Sequence, residues 1–381
     1  MDGKRLIEKI RLRNILSFGD KGEEITLEPL NIIIGQNASG KSNLIDVIKL
    51  LRSLPRDKGL ANFISRSGGL NEWIWKGVKT QNFAQVNASL DVEYGDIEYE
   101  IKFIEGMSGL RILDEVLKPE GKNEYLTRKQ IISGEDSTRK TTSKETVLEK
   151  YFEFEVQDIH YDFFAFRYYI EKTKVYSDLQ TNRKAELRRP QIPDAPNDFL
   201  DEDASNLALV LNDLEHRGDT KDKIVENLKK FNPRIKDYSV RILGGTVQLF
   251  IREEGLEKPI SAMRLSDGTL RYLCLLAILC HPEPPPLICI EEPETGLHPD
   301  ILPTIAELMI DASKRTQLIV TTHSDILVSA FSEIPEAVLV CEKDEDGTHF
   351  KRLEKEKLKT WLEEYSLGEV WLKGEIGGTR W

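Results

Sequence analysis

Two kinds of hydrophobic pattern alternate along this chain. Short, mostly apolar runs at residues 30–34, 287–290 and 318–320 predict buried strands, whereas residues 43–51 and 272–279 carry apolar side chains at helical spacing. Strict alternation of apolar and polar positions at residues 85–94 and 97–103 predicts an antiparallel hairpin, with Gly95 and Asp96 as its two-residue turn. The pattern therefore predicts an α/β fold with an antiparallel β subdomain.

A different pattern occupies residues 118–260. Apolar residues at helical spacing predict a small helix pair there, formed around Leu207, Leu211 and Leu214, then Ile224, Leu228 and Phe231. A polar loop at residues 133–142 precedes the pair, and Gly244 with Gly245 predicts a hairpin after it. We therefore divide the chain into an N-terminal lobe (1–117), a mostly helical insertion (118–260) and a C-terminal lobe (261–381). The insertion has no heptad repeat, so we expect no long coiled coil.

The apolar run at residues 30–34 leads directly into a phosphate-binding motif. Residues 35–42 fit G-x-x-x-x-G-K-[ST], with a strand before and a helix after, as that motif requires. Backbone N–H groups and the helix N-terminus would hold a phosphate chain, Lys41 would reach the β and γ phosphates, and Ser42 would offer its hydroxyl to Mg²⁺. A chance match in this context is rare, so we expect an ATP or GTP site. The predicted nucleotide contacts here are Gly35, Gln36, Asn37, Ala38, Ser39, Gly40, Lys41, Ser42 and Asn43.

Two later strands bring candidate catalytic side chains. The run at 287–290 is followed by Glu291 and Glu292, a pattern in which the first carboxylate supports Mg²⁺ and the second polarises the attacking water. The run at 318–320 leads to His323, at the sheet edge where ligands bind, and we expect this residue to sense the γ phosphate. A solvated acidic turn and a structural histidine are the alternatives. The predicted catalytic residues are Lys41, Glu292 and His323, and the predicted metal ligands are Ser42 and Glu291.

A second anion site is predicted at residues 265–269, directly before an apolar helix. Ser266 is placed as an N-cap, and its hydroxyl with the free N–H groups that follow, including that of Gly268, could bind a phosphate. A chain that already has a phosphate loop needs a second site only for the nucleotide of another molecule. Taken alone, Ser266 could equally serve as a helix cap and nothing more.

Together these segments resemble the ABC-class ATPases, and their RecF/SMC-like and OLD-like branch more closely than the transporters. The resemblance implies a Walker A loop at residues 35–42, the ABC signature at 265–269, a Walker B strand ending in Glu291 and Glu292, a D-loop at 294–299, and a switch histidine at His323. Glu291 in place of the usual Asp, and Asp267 in the signature, look like variants of the OLD-like branch. We expect no Toprim nuclease domain in the residues after His323.

The resemblance also implies a function. It predicts an ATP hydrolase of ABC head type that uses ATP and Mg²⁺ and forms an ATP-dependent homodimer. Such a dimer would act on DNA or on a partner effector, in DNA repair, recombination or defence against mobile DNA. An ATP-sensing subunit that gates a nuclease or toxin shares every motif and remains an alternative. A transporter's nucleotide-binding subunit would need a membrane partner, and the insertion at 118–260 argues against it.

Composition and charge argue against some of these functions and leave others open. The net charge of −12 is unlike that of strong DNA binders, although residues 183–189 and 229–230 form basic runs that could contact nucleic acid or be solvated loops. No apolar run reaches the ~18 residues of a membrane span, and four cysteines without CxxC spacing favour reduced thiols. We expect a cytoplasmic protein without a membrane partner. Tryptophans at 361, 371 and 381 either pack on the ATPase core or form a docking surface.

Overall fold

The computed structural model describes residues 3–92, 95–107, 109–119, 126–127, 145–150 and 160–378. The strands in these residues are β1 (Ile7–Arg13), β2 (Glu23–Thr26), β3 (Leu30–Gly35), β4 (Ala84–Val92), β5 (Gly95–Gly106), β6 (Gly109–Pro119), β7 (Leu126–Thr127), β8 (Lys174–Tyr176), β9 (Ile235–Leu243), β10 (Thr246–Glu253), β11 (Ile260–Ser261), β12 (Leu287–Glu291), β13 (Gln317–Thr321), β14 (Val338–Asp344) and β15 (Gly347–Arg352). The α-helices are α1 (Lys41–Ser53), α2 (Gly59–Arg66), α3 (Leu70–Trp73), α4 (Val147–Lys150), α5 (His160–Glu171), α6 (Leu207–Leu214), α7 (Thr220–Phe231), α8 (Asp267–Leu279), α9 (Leu302–Ala312), α10 (Asp325–Ser329), α11 (Lys355–Leu362) and α12 (Leu367–Leu372).

A mixed six-stranded sheet positions the nucleotide-binding motifs. Its strand order is β15-β14-β3-β13-β12-β8, and every neighbouring pair is parallel except β14 and β15. The carboxyl ends of β3, β12 and β13 therefore lie at one edge, where ligands of such sheets bind. A second six-stranded sheet, β2-β1-β4-β5-β6-β7, is antiparallel, and β9 to β11 form a third. The predicted α/β fold with an antiparallel β subdomain is confirmed.

Strand β3 separates two hydrophobic cores. Ile32 and Ile34 face a core shared with the insertion and the C-terminal lobe, whereas Ile33 faces a core shared with α1 and the antiparallel sheet. All three side chains are fully buried, because helices or a second sheet cover both faces of the parallel sheet. This two-sided burial explains why β3 reads in the sequence as a nearly continuous apolar run.

The predicted hairpin of the antiparallel sheet is confirmed in its pairing but not in its turn. The alternating residues are buried as predicted; they are Val86, Ala88, Leu90 and Val92 on β4 and Ile97, Tyr99, Ile101 and Phe103 on β5. However, Gly95 pairs with Val92 and Asp96 with Asp91, so both residues of the predicted turn already belong to β5. The predicted turn position is therefore wrong. Tyr94, also assigned to this face, lies outside the described residues.

The insertion contributes to the same cores as the two lobes. The predicted helix pair is present as α6 and α7, and Gly244 with Gly245 forms the turn between β9 and β10. In addition to these helices, β9 to β11 form their own sheet, and β8 pairs with β12 at the edge of the nucleotide-binding sheet. The boundaries at 117 and 260 stay predictions, and the predicted loop at 133–142 lies outside the described residues.

Two further predictions from the sequence concern the cysteines and membrane-spanning helices. All four cysteines are buried and free: Cys274, Cys280, Cys289 and Cys341. The segments around these cysteines are buried, and this is why their sequences are apolar. Among the helices of the described part of the chain, none combines the length and apolarity needed to cross a membrane.

Candidate functional site

A cleft of about 390 Å³ lies at the carboxyl edge of the main sheet. It brings together residues that are far apart in sequence, from the Walker A loop, the end of β12, the end of β13 and β14. The lining residues are Asn37, Ala38, Gly40, Lys41, Ser42, Asn43, Glu292, Thr321, His323 and Lys343. All three predicted catalytic residues are among them. Gly35, Gln36, Ser39 and Glu291 do not line the cleft but adjoin residues that do, whereas Ser266 and Gly268 lie on a separate helix.

The Walker A loop is held from behind by distant polar side chains. Oγ1 of Thr348 donates to the carbonyl of Ser39 at 2.6 Å and shares a hydrogen bond of 2.7 Å with the hydroxyl of Ser17. Oγ of Ser17 also accepts from the side-chain amide of Asn43 at 2.6 Å. A methyl group at Gly40 would overlap Oγ1 of Thr348 and lie 2.7 Å from Oγ of Ser17, so this position requires glycine. The back of the loop is thus fixed.

The side chain of Lys41 is placed where it could bind an anion. Its side chain is buried, and Nζ donates to the carbonyls of Gly35 at 2.9 Å and Gln36 at 2.7 Å. Burial lowers the pKa of this ammonium, while the carboxylate of Glu292 opposes the shift. The Lys41 ammonium is shielded from water and bonded to neutral carbonyls of its own loop. Phosphate oxygens would be stronger acceptors, because hydrogen bonds between two charged groups are stronger than those to a neutral acceptor. Ser39, a residue of the same loop, has a buried hydroxyl that finds no hydrogen-bond partner in the described part of the chain. Both observations fit a bound triphosphate.

The two adjacent carboxylates differ in their surroundings. Glu291 ends β12, and its Oε1 lies 3.6 Å from Nζ of Lys49 on α1, behind the cleft. Glu292 projects into the cleft with about half of its side chain exposed, and its Oε1 lies 3.9 Å from Nε2 of His323. Glu292 also has a positive φ of 45°, a conformation that is uncommon outside glycine, asparagine and aspartate. The strained backbone turns the Glu292 side chain away from Glu291 and toward His323.

Glu294 holds the switch segment, a role that the sequence did not indicate. Its Oε1 accepts from Oγ1 of Thr322 at 2.7 Å and from the backbone N–H of His323 at 2.8 Å. Burial raises the pKa of this carboxyl, and its Oε2 is buried with no hydrogen-bond partner within the residues that the structure describes. The D-loop therefore fixes the backbone of His323, which follows β13. A carboxylate two residues after the Walker B pair was the only sequence signal for this contact.

The signature motif lies on its own helix. Ser266 is the N-cap of α8, and its Oγ accepts from the backbone N–H of Thr269 at 3.1 Å, as predicted. Ser266 and Asp267 are exposed, and Gly268 and Thr269 are half-buried. This helix N-terminus does not line the cleft of its own chain.

Arg188 of the insertion supports the signature loop. Its buried guanidinium donates to the carbonyls of Ala262 at 3.1 Å and Leu265 at 2.7 Å, and forms a salt bridge with Asp267. The basic run at 183–189 is expected either to contact nucleic acid or to be a solvated loop; Arg188 does neither, because its guanidinium is enclosed by protein. The other cations of the run, Arg183, Lys184 and Arg189, are exposed.

The signature helix also touches the backbone of Glu292 in its own chain. Nη2 of Arg271 on α8 donates to the backbone carbonyl of Glu292 at 3.3 Å, while its Nε is buried and has no hydrogen-bond partner among the described residues. A methyl group at Gly268 would lie 3.2 Å from the carbonyl oxygen of Gly296 in the D-loop. The start of α8 and residues 292–296 are therefore one packed unit.

Lys343 is a cation of the cleft that sequence reasoning missed. It lies on β14, two residues after Cys341, and its side chain is exposed along the cleft. Within the described residues it forms no ion pair. No motif marks it, because its position depends on β14 pairing with β3 more than 300 residues earlier.

Fold and cleft together define a P-loop ATPase of the ABC head type. Residues 30–329 match the AAA_21 family, whose description reads "AAA domain, putative AbiEii toxin, Type IV TA system". The chain belongs to this family. No curated protein matches the sequence. The predicted recognition of an ABC ATPase in the SMC-like branch is confirmed.

Solved structures show the same fold at low sequence identity. A Smc head domain with an extended coiled coil, bound to the C-terminal domain of ScpA and derived from Pyrococcus furiosus, has a TM-score of 0.60 at 15% identity, covering 94% of this chain and 99% of that one. A Smc head domain with a coiled coil and joint from Pyrococcus yayanosii has a TM-score of 0.54 at 14% identity, with the same two coverages of 94% and 99%. At such identity the similarity concerns the fold.

Proposed function

We propose that this chain is a Mg²⁺-dependent ATP hydrolase that forms a homodimer around two ATP molecules. The observation that carries the proposal is the separation of its phosphate-binding groups. Lys41, Ser42, Glu292 and His323 share one cleft, whereas the N-cap Ser266 is exposed on a helix outside it. A two-fold dimer would place Ser266 of one chain opposite the γ phosphate held by the other.

In the proposed reaction each residue of the cleft has a distinct task. Glu292 accepts the proton of the attacking water, and His323, held by Glu294, contacts the γ phosphate. Lys41 leaves its loop carbonyls and binds the β and γ phosphate oxygens. Ser42 and Glu291 would hold Mg²⁺, which neutralises negative charge on the phosphates when bound. Glu291 would then exchange its contact with Lys49 for this role.

Substitution of Glu292 by Gln tests the hydrolase directly. The amide cannot accept the proton, so we expect turnover to fall by about 10²-fold or more while ATP binding persists. With ATP and Mg²⁺ the variant should elute as a dimer, because the bound nucleotide is no longer consumed. Light scattering during gel filtration measures this. Loss of ATP binding in Glu292→Gln would instead assign the residue to the metal, and an ATP-saturated monomer would exclude the dimer.

The target of the dimer is DNA or a protein effector, in DNA repair, recombination or defence against mobile DNA. The family description names a toxin system, and this supports the alternative that the chain senses ATP and gates a toxin or nuclease. Measured ATP turnover by the purified chain separates the two: steady hydrolysis favours the hydrolase, and tight binding without turnover favours the sensor. Proteins that co-purify with Glu292→Gln would identify an effector.

Nucleic-acid binding is tested at the exposed cations Arg183, Lys184 and Arg189. If they contact DNA, replacing all three by alanine weakens binding and lessens its salt dependence, because each neutralised phosphate releases counterions. A gel-shift assay at two salt concentrations measures both. Undetectable binding at low salt would favour the protein effector.

A further inference from the structure

The C-terminal residues 366–378 touch two elements that adjoin the nucleotide cleft. They begin at Ser366, which caps α12 with a capping box, and they contain the buried Trp371. One end of this segment packs against the helix that follows His323. The other end lies against the first glycine of the Walker A loop.

The end of the segment packs closely against the Walker A loop and is held there by hydrogen bonds to β14 and to Trp371. The backbone N–H of Gly378 donates to Oε1 of Glu342 at 2.8 Å, and its carbonyl accepts from the indole N–H of Trp371 at 2.8 Å. A methyl group at Gly378 would lie 3.2 Å from Cα of Gly35 and 2.8 Å from Cγ1 of Val340. No side chain fits between the segment and the start of the loop.

The contact with the switch segment is equally tight. A methyl group at Gly368 would overlap the carbonyl oxygen of Asp325 and Oγ of Ser329, both on α10. Ser329 and Ser366 are joined by a hydrogen bond of 3.1 Å between their hydroxyls. Since α10 begins at Asp325, two residues after His323, its placement determines where the switch histidine can lie.

We propose that residues 366–378 are a positioning element for ATP: they fix Gly35 and α10 relative to each other, so that the Walker A loop and His323 meet the same triphosphate. The inference rests on the proposed function. Glycine-rich loops have many backbone conformations, and the one that binds phosphate must be selected by packing around it. Here the packing partner comes from the far end of the chain.

A pair of glycine substitutions separates this role from general stability. Gly378 has φ of 56° and contacts Gly35, whereas Gly218 has φ of 59° with no atom within 4 Å of an added methyl group. Ala at either position meets the same backbone strain, and only Gly378→Ala also displaces the Walker A loop. We expect the Kd for a slowly hydrolysed ATP analogue to rise about tenfold or more in Gly378→Ala relative to Gly218→Ala. Kd values within twofold of each other would overturn the inference.

Glu342 offers a milder variant that leaves the buried contacts in place. Glu342→Ala removes the acceptor for the N–H of Gly378, while Glu342→Gln keeps one. We expect KM for ATP to rise in Glu342→Ala with kcat at saturation nearly unchanged, and Glu342→Gln to restore KM. A fall in kcat alone, or equal effects of both substitutions, would contradict a positioning role.

Linkage provides a reciprocal test on the unmodified chain. If the segment promotes ATP binding, ATP must stabilise the segment by the same factor. We therefore expect amide hydrogen exchange in residues 371–378 to slow when the analogue and Mg²⁺ are added. Unchanged exchange in a chain that binds ATP would overturn the inference alone, whereas absence of ATP binding by the parent chain would overturn the proposed function.

Discussion

The Walker A loop and the signature loop contact the same nucleotide in the proposed dimer, yet the chain supports them differently. The Walker A loop is enclosed: Lys41 is buried, and Ser17 and Thr348 hold the loop from behind. The signature loop is exposed at Ser266 and rests on one buried side chain of the insertion, Arg188. The Walker A half of the proposed site is thus enclosed within a single chain. The signature half is exposed at the surface and is held by Arg188 of the insertion.

The largest effect expected from this contrast is the loss of ATP binding in Lys41→Ala. Hydrogen bonds from a charged donor contribute about 1.5–3 kcal/mol each, so two phosphate contacts predict a Kd raised by about 10²-fold or more. Ser266→Arg should leave the Kd of a single chain unchanged, because Ser266 lies outside the cleft, while it abolishes turnover and the ATP-dependent dimer. Calorimetry with ATP and Mg²⁺ measures both. Equal loss of binding in the two variants would contradict the separation of the half-sites.

Mixing the two inactive variants sharpens the same contrast. A heterodimer of Lys41→Ala with Ser266→Arg contains one composite site in which both the Walker A loop and the signature are intact. Neither variant should form an ATP-dependent dimer by itself, whereas each heterodimer has one of its two sites intact, so we expect up to about half of the parental turnover per dimer. Cross-linking verifies that heterodimers form. If they form and hydrolyse nothing, the sites do not act in trans or both must be intact together.

A smaller effect is expected from Arg188→Lys. A lysine ammonium cannot reach the carbonyls of Ala262 and Leu265 and the carboxylate of Asp267 together, so the signature loop loses part of its support. We expect turnover to fall about tenfold with an unchanged Kd for ATP in the single chain, since the lost hydrogen bonds are worth about 1–2 kcal/mol. Arg189→Lys is the matched control, because Arg189 is exposed and paired only with Glu186 among the described residues. The interpretation fails if both substitutions act alike.

The smallest effect concerns stability. Glu292 has a positive φ, so Glu292→Gly should raise the free energy of unfolding by up to about 1 kcal/mol while it abolishes hydrolysis. Glu291→Gly, in the extended strand β12, should instead lower it by about 1 kcal/mol or more, because glycine adds entropy to the unfolded chain and removes the ion pair with Lys49. Urea unfolding of the two variants compares them. A destabilised Glu292→Gly would mean that contacts of this side chain outweigh its backbone strain.

Residues that act through a local motif could be predicted from the sequence. Glu292 directly follows β12, His323 lies just after β13, and Lys41 begins the helix after the β3 loop, so their place at one sheet edge follows from the fold class. Arg188, Glu294 and Thr348 could not be predicted as supports, because each acts through a hydrogen bond to a backbone or hydroxyl group that any sequence provides. Thr348 reaches Ser17 across 331 positions, a distance over which no local pattern is informative.

The misplaced turn at Gly95 has a similarly physical reason. Shifting the pairing of β4 and β5 by an even number of residues leaves the same side chains on the buried face. The apolar alternation is therefore satisfied with the turn at residues 95–96 and also with the observed pairing of Val92 and Gly95. The Gly95-Asp96 dipeptide favoured a turn at residues 95–96, whereas in the structure Gly95 already pairs with Val92.

Arg271 gives the proposed dimer a route to cooperativity. Its guanidinium joins the helix that would receive the partner's γ phosphate to the backbone of its own Glu292, a residue already held in a strained conformation. Occupation of one nucleotide site would thus bias the geometry of the other, and ATP would act as substrate and as effector of the neighbouring subunit. Turnover plotted against ATP concentration should then be sigmoidal, with a Hill coefficient above one and no greater than about two for two sites. In such a dimer the rate of hydrolysis would rise steeply over a narrow range of ATP concentration instead of in proportion to it.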